Sequence, residues 1–359
     1  MATQRIPSLT PIGEVLARVA ALAHPIAPRE MALAEAEGRV LAADVGAAAA
    51  RPMAATALID GWAVRADAVA DAGPYAPMPL SPAPAWVNAG DALPPGADAV
   101  LPGDAVTVHG ATAEAHAGAT VGDGMLAAGG DAAAGQILCG SGARLRATDV
   151  AALQAIGLSR VMVREPRVRV VSVGADPVAL AIARAVASYG ATVIFVRAFE
   201  RALSEDADAV VGIGGTGAGH DDRSVLQLAK AGQVAFHGFG LSPGETAALG
   251  SVGTQPVLLL PGRLDAALAA FLVAGAALLR GLTGAPICSG MPVTLARKIT
   301  STVGLAEVVP VRRVAEGVEP LASGHWPMAA LARANGWVLV PPESEGYAAG
   351  ARLEMRAFP

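Results

Sequence analysis

Ala209-Val210-Val211-Gly212-Ile213-Gly214-Gly215-Thr216-Gly217 is the stretch on which the fold turns. An apolar run without alternation marks a strand buried on both faces. The run breaks into glycines, and a helix-like segment follows behind Asp221-Asp222. A strand that ends this way brings bare backbone N–H groups and a helix N-terminus to one place, which suits an anion such as a phosphate. Asp208 ahead of the run and Asp222 behind the glycines are carboxylates of the kind that hold a hard cation against such an anion.

Outward from this loop, the chain from Arg167 alternates. Val168 to Val173 reads as a strand and Val178 to Tyr189 as its helix. Strands follow at Thr192 to Val196 and Ala209 to Ile213, a helix at Ser224 to Ala231, and strands at Val234 to Gly238 and Val257 to Leu260. A long helix runs on to Leu279. Near-continuous apolar strands in this rhythm predict a doubly wound parallel sheet, with the ligand beyond the carboxyl ends of its strands. On the amino side, residues 12 to 43 read as helix in two amphipathic pieces, the second around Glu30 to Leu41. From 44 to 138 short apolar runs alternate with proline and glycine, as in a small β domain. Helix returns at Thr148 to Ile156, and after Pro286 short strands recur at Glu307 to Val311, Trp337 to Val340 and Arg352 to Arg356. The expected domains are therefore a helical piece from 1–43 and 139–164, a β insertion at 44–138, an α/β domain at 165–284 and a C-terminal β domain at 285–359.

The bulk numbers agree with a multidomain folded chain. Its 359 residues are 53% hydrophobic and 16% charged, enough to bury large cores. A net charge of −5 argues against a nucleic-acid partner, and the densest basic group, Arg164, Arg167 and Arg169, reads as a solvated strand edge. The apolar stretch Ala266 to Leu279 falls short of the ~20 residues a membrane span needs and reads as a buried helix. No signal-peptide pattern is read in Met1 to Pro11. Cys139 and Cys288 read as cytosolic free thiols, with a single disulfide left open. The histidines show no metal-ligand spacing.

Several landmarks now fall in a fixed order: Ile59-Asp60-Gly61-Trp62-Ala63-Val64-Arg65, Ala92-Leu93-Pro94-Pro95-Gly96-Ala97-Asp98, Gly129-Gly130-Asp131, the Gly214 loop, Pro243-Gly244 and Leu260-Pro261-Gly262. In this order they resemble the molybdopterin molybdenumtransferase family (MoeA and the gephyrin E domain) over nearly the whole chain. The resemblance implies an elongated cytoplasmic homodimer with a molybdopterin-binding α/β domain and a C-terminal β-barrel-like domain. It implies a transferase of molybdenum cofactor biosynthesis, which inserts molybdate into adenylylated molybdopterin and releases AMP with the help of Mg²⁺. A molybdoenzyme that accepts the product is a further implied partner.

Carried over by position, Asp60, Asp131, Asp208 and Asp222 match family aspartates and are the expected catalytic residues, with Asp60, Asp208 and Asp222 on the metal. Gly214, Gly215, Thr216, Gly217, Asp176, Pro243, Gly244, Pro261, Gly262 and Arg263 are the expected cofactor-binding residues. The departures matter as much. The family's Lys-Pro-Gly-Lys-Pro reads Ser242-Pro243-Gly244-Glu245-Thr246, its Leu-Pro-Gly-Asn-Pro reads Leu260-Pro261-Gly262-Arg263-Leu264, and a threonine becomes Ala89. Losing two cations and gaining a carboxylate works against binding a dianion at that spot, and Arg263 is the candidate to restore one charge. A second reading follows: a paralogue that keeps the pterin pocket and carries or hands over the cofactor.

Overall fold

The computed structural model describes residues 4–6, 8–174, 176–287 and 289–359, so Ala175 and Cys288 lie outside the described residues. The chain divides into two units. One comprises Met1–Ala43, Ser141–Val150 and Ser159–Pro359, the other Asp44–Gly140 and Ala151–Leu158.

The larger unit is built on a six-stranded sheet in the order Thr192–Val196, Arg167–Ser172, Ala209–Ile213, Gln255–Leu260, Ala248–Val252, Gln233–His237. The first four strands are parallel. Ala248–Val252 runs antiparallel to both of its neighbours while the edge strand Gln233–His237 runs with the first four, so the expected parallel sheet is corrected to a mixed one. Alternate side chains serve opposite faces. Val168, Val170, Val211, Leu258 and Leu260 pack with the helices Ile12–Leu22, Asp176–Ser188 and Leu264–Thr283. Val171, Val210, Val257 and Leu259 pack with Phe199–Ser204 and Ser224–Ala231. Burial on both faces is why these strands read as unbroken apolar runs.

Leu264–Thr283 is long and apolar enough by length and composition to cross a membrane, but 78% of its apolar window is buried inside the protein. Its middle, Phe271–Gly275, widens into a π-turn. A Cβ on Gly275 would stand 2.4 Å from the Phe271 ring, so the missing side chain gives that fully buried ring its space.

Two expectations change, and one strand stands outside what the sequence announced. Glu30 to Leu41 is not a helix: Arg29–Ala32 and Val40–Leu41 are strands on either side of Arg160–Arg164, joined through the short 3₁₀ turn Leu33–Glu35. Pairing overrides the helix propensity of its Ala, Leu and Glu residues. Arg169 is not at a solvated edge: it is 5% exposed on an inner strand, donating to the Asp206 carbonyl at 2.7 Å and pairing with Glu205. Phe239–Ser242 leaves the α/β sheet altogether. It lies parallel to Thr10–Pro11 on one side and to the C-terminal strand Ala306–Val314 on the other.

The smaller unit holds two three-stranded sheets, Ala85–Val87 with Gly61–Val64 and Ala99–Pro102, and Val106–His109 with Thr112–Ala115 and Met78–Leu80. Trp62, where the family carries tyrosine, meets Trp86 edge-on at 5.1 Å and donates its indole N–H to the Gly103 carbonyl.

Candidate functional site

In the larger unit the chain leaves Arg167–Ser172 for Thr192–Val196 on one side, then crosses to Ala209–Ile213 on the other. The carboxyl ends of Arg167–Ser172 and Ala209–Ile213 therefore form the switch point where doubly wound sheets bind ligands. The Gly214 loop sits there. A Cβ on Gly214 would fall 2.4 Å from the Val173 carbonyl, and one on Gly215 2.4 Å from Ser224 Oγ. Both glycines have positive φ, 89° and 69°. Only glycine meets both demands without strain.

Every carbonyl of the turn is taken by the protein. Gly214 O accepts from Ser224 Oγ at 2.8 Å, and Gly215 O from Ser224 N at 3.0 Å. Gln4 Nε2 donates to Gly215 O and Gly217 O at 2.8 and 2.6 Å. His237 Nε2 lies 2.9 Å from Thr216 O, and the Thr216 and Thr246 hydroxyls share a 3.0 Å hydrogen bond. Among the described residues, the amides of Gly215, Thr216 and Gly217 have no acceptor. Carbonyls held by the protein and amides left open give the turn its affinity for anions. Asp222 lies against this turn, its Oδ2 accepting from Gly219 N at 2.8 Å.

The other expected residues are placed unevenly. Gly214 N donates to Leu260 O, which brings Pro261 and Gly262 beside the loop. Asp176 opens the helix Asp176–Ser188 at the switch point and is exposed. Pro243 and Gly244 are buried, and Thr246, replacing the family's proline, ties their loop to Thr216. Asp208 is a correction. It precedes the strand whose far end carries Gly214, about 20 Å away at strand rise. There its carboxylate accepts from Arg167 N at 2.6 Å, which closes the opposite edge of the sheet. Asp60 and Asp131 belong to the smaller unit; Asp60 accepts from Ala89 N at 2.7 Å, and Asp131 is exposed beside Arg51. Among the described residues, no group of three or more His, Cys, Asp or Glu is preassembled for a metal.

Arg263 is not a lone cation. It donates to the two oxygens of Asp265 at 3.2 and 2.6 Å, and Asp265 is 2% exposed. The same carboxylate accepts from the Trp326 and Ala266 amides and lies 2.7 Å from His325 Nδ1. Burial works to raise the pKa of Asp265, but the bonds from Arg263, Trp326, His325 and Ala266 outweigh it and hold the group at about 2. The bond to Asp265, and less strongly the charge of Glu245, raises the pKa of Arg263. Neither Asp265 nor His325, 60 residues apart, stood out in the sequence, and Gln4 and His237 carried no motif at all.

A mixed doubly wound domain with an anion-ready glycine turn at its switch point defines an α/β ligand-binding protein. Family models match almost end to end: "MoeA N-terminal region (domain I and II)" over residues 10–157, "Probable molybdopterin binding domain" over 176–281, and "MoeA C-terminal region (domain IV)" over 292–358. The chain belongs to the MoeA family of molybdenum cofactor biosynthesis. It is 26% identical to the molybdopterin molybdenumtransferase 2 of Mycobacterium tuberculosis, over 94% of this chain and 96% of that one. A relative from Methanocaldococcus jannaschii, named for molybdopterin biosynthesis, is 29% identical over 162 residues, 44% of this chain and 38% of its own. The crystal structure of a molybdopterin biosynthesis MoeA protein from Pyrococcus horikoshii shares the fold, with TM-score 0.74 at 24% identity over 98% of this chain and 100% of that one.

Proposed function

We propose that the protein is a molybdopterin molybdenumtransferase, with the turn Gly214–Gly217 holding the phosphate of adenylylated molybdopterin. The carrying observation is the turn itself: its carbonyls are occupied from inside the protein and its amides are open at the switch point. Asp176, Pro243, Gly244, Pro261 and Gly262 border the same end of the sheet and are the proposed walls. Mg²⁺ fits as a substrate-bridged ion, because it keeps several waters and needs only one or two carboxylates beside phosphate oxygens. Asp222 is the carboxylate at the turn. Bound there, the ion would neutralise phosphate charge during AMP release. Asp60 and Asp131, carried from the family pattern, are proposed to act in the same reaction, in a homodimeric cytoplasmic protein that serves a molybdoenzyme acceptor.

The Arg263–Asp265 pair favours one alternative at the last step. Because a buried carboxylate neutralises Arg263, the guanidinium does not replace the two lost lysines, and Glu245 adds negative charge beside it. A protein that binds the pterin and passes it on without inserting molybdate would look the same at the turn. Purified protein with adenylylated molybdopterin, Mg²⁺ and molybdate tests both readings. AMP release with formation of active cofactor supports the transferase. Tight pterin binding without AMP release assigns the carrier role, and no pterin binding overturns both.

A further inference from the structure

Far from the glycine turn, a cavity of ≈ 420 Å³ opens among Arg280, Arg313, Arg356 and Trp337. It lies near the carboxyl ends of two helices whose other ends approach the switch point. From Leu264 to Arg280 the axial distance is about 24 Å. The three guanidiniums stand out in a chain with net charge −5. Among the described residues none of them pairs with a carboxylate, and the described lining holds no Asp or Glu. Arg313 spends its Nη2 on the Met291 sulfur at 2.8 Å, a weak acceptor, and Arg356 stacks 5.2 Å from the Trp337 ring centre.

Trp337 shares this lining. It is 3% exposed, and its Nε1 is buried with no hydrogen-bond partner among the described residues. A buried indole N–H without an acceptor costs stability, and native proteins seldom leave one so. The N–H itself is closed to solvent, but the Trp337 ring borders the cavity and its indole signal therefore reports on what binds there. The apolar side chains of Leu272 and Met355 complete a lining that suits a molecule with an apolar body and an anionic end.

The geometry points to a second ligand site here, for an organic oxyanion, carboxylate or phosphate, whose acidic group meets Arg280, Arg313 and Arg356 and whose body packs on Trp337. Guanidiniums are suited to this task because their paired N–H groups match carboxylate and phosphate oxygens. A mere counterweight to the helix C-terminus explains Arg280 alone, since Arg313 and Arg356 come from strand and post-strand segments of the C-terminal region.

The test follows the Trp337 indole N–H by ¹H–¹⁵N TROSY in the full-length protein, assigned by comparison with Trp337→Phe. The probes are phenyl phosphate and benzoate, with benzyl alcohol as the neutral counterpart. Saturable movement of that resonance by either anion supports the site, and the tighter of the two identifies the acidic group. Arg313→Gln, an exposed position, should weaken binding roughly tenfold, the worth of one charge-assisted hydrogen bond, while leaving the thermal midpoint in place. Arg280→Gln should act in the same direction. Silence with both anions overturns the proposal. So does an equal response to benzyl alcohol, or a response abolished by Gly215→Ala and indifferent to Arg313→Gln, which would place the anion at the glycine turn.

Discussion

At the scale of single residues, the site is held by atoms that have little freedom to change. Gly215 has a φ of 69° and a neighbour, Ser224 Oγ, 2.4 Å from where a Cβ would stand. Gly215→Ala should therefore destabilise the protein by about 1–3 kcal/mol and abolish binding of a phosphate-bearing ligand at the turn. Urea unfolding and ligand titration check the two effects separately; a neutral outcome in both would remove the turn from consideration. Asp265 carries a pH dependence with a definite sign. Its pKa in the folded protein is about 2, below the ordinary 3.8. The stabilisation is thus complete above about pH 4 and is lost as pH falls toward 2. With discounting for the exposed Arg263 and His325, it amounts to about 1–2 kcal/mol. Asp265→Asn should lose that much at neutral pH and show a flatter stability profile between about pH 4 and 2, measured by denaturant unfolding at each pH. A profile unchanged from the parent chain would refute the assignment. The sequence named Arg263 but could not reveal that a carboxylate two residues on, and a histidine from the C-terminal region, would claim it.

At the scale of elements, periodicity found what is buried on both faces and missed what is held by pairing. Ala209–Ile213 was legible to the residue because a two-sided core explains its run. Thr192–Val196 was legible from its β-branched and aromatic residues, although it is a half-buried edge strand with Phe195 exposed. Ala248–Val252 and Phe239–Ser242 were not, since Ala-Leu-Gly-Ser-Val and Phe-Gly-Leu-Ser have no clear period. Asp208 was misplaced for a simpler reason: proximity to a strand in sequence does not say which end of the sheet it serves. The helix Leu264–Thr283 was legible as buried, but its π-turn was not. Gly275 gives a test of that turn. Replacing a helical glycine by alanine ordinarily gains about 1 kcal/mol. Here the new methyl would meet the Phe271 ring at 2.4 Å in a closed core. Gly275→Ala should instead lower stability by about 1–3 kcal/mol through overpacking. Adding Phe271→Leu should recover part of the loss, a coupling that thermal unfolding of the double-mutant cycle would reveal. Strict additivity would mean the ring does not need the glycine.

At the scale of the whole molecule, the segment Asp44–Gly140 has its two ends side by side, while Ala151–Leu158 returns to the same unit separately. Val45–Gly46 lies antiparallel to Ile137–Cys139, with Gly46 opposite Ile137 and Val45 opposite Cys139. Composition changes near 44 and 138, from helix-forming runs to proline and glycine and back, whereas nothing in the sequence marks Ala151–Leu158 as part of the smaller unit. Ends held side by side allow the insertion to be cut out and the gap closed with a short glycine linker, leaving the six-stranded sheet and its glycine turn covalently intact. Such a chain separates binding from chemistry. All the proposed phosphate contacts lie in the larger unit, so adenylylated molybdopterin should still stabilise the shortened chain, by about 2.7 kcal/mol at a hundredfold excess over Kd. Asp60 and Asp131 depart with the insertion, so AMP release should disappear. The thermal midpoint with and without ligand, read beside AMP release in the same samples, decides the matter. If the shortened chain folds yet gains nothing from the ligand, the turn is not sufficient to bind it. If AMP is still released, the two insertion carboxylates have no part in the reaction.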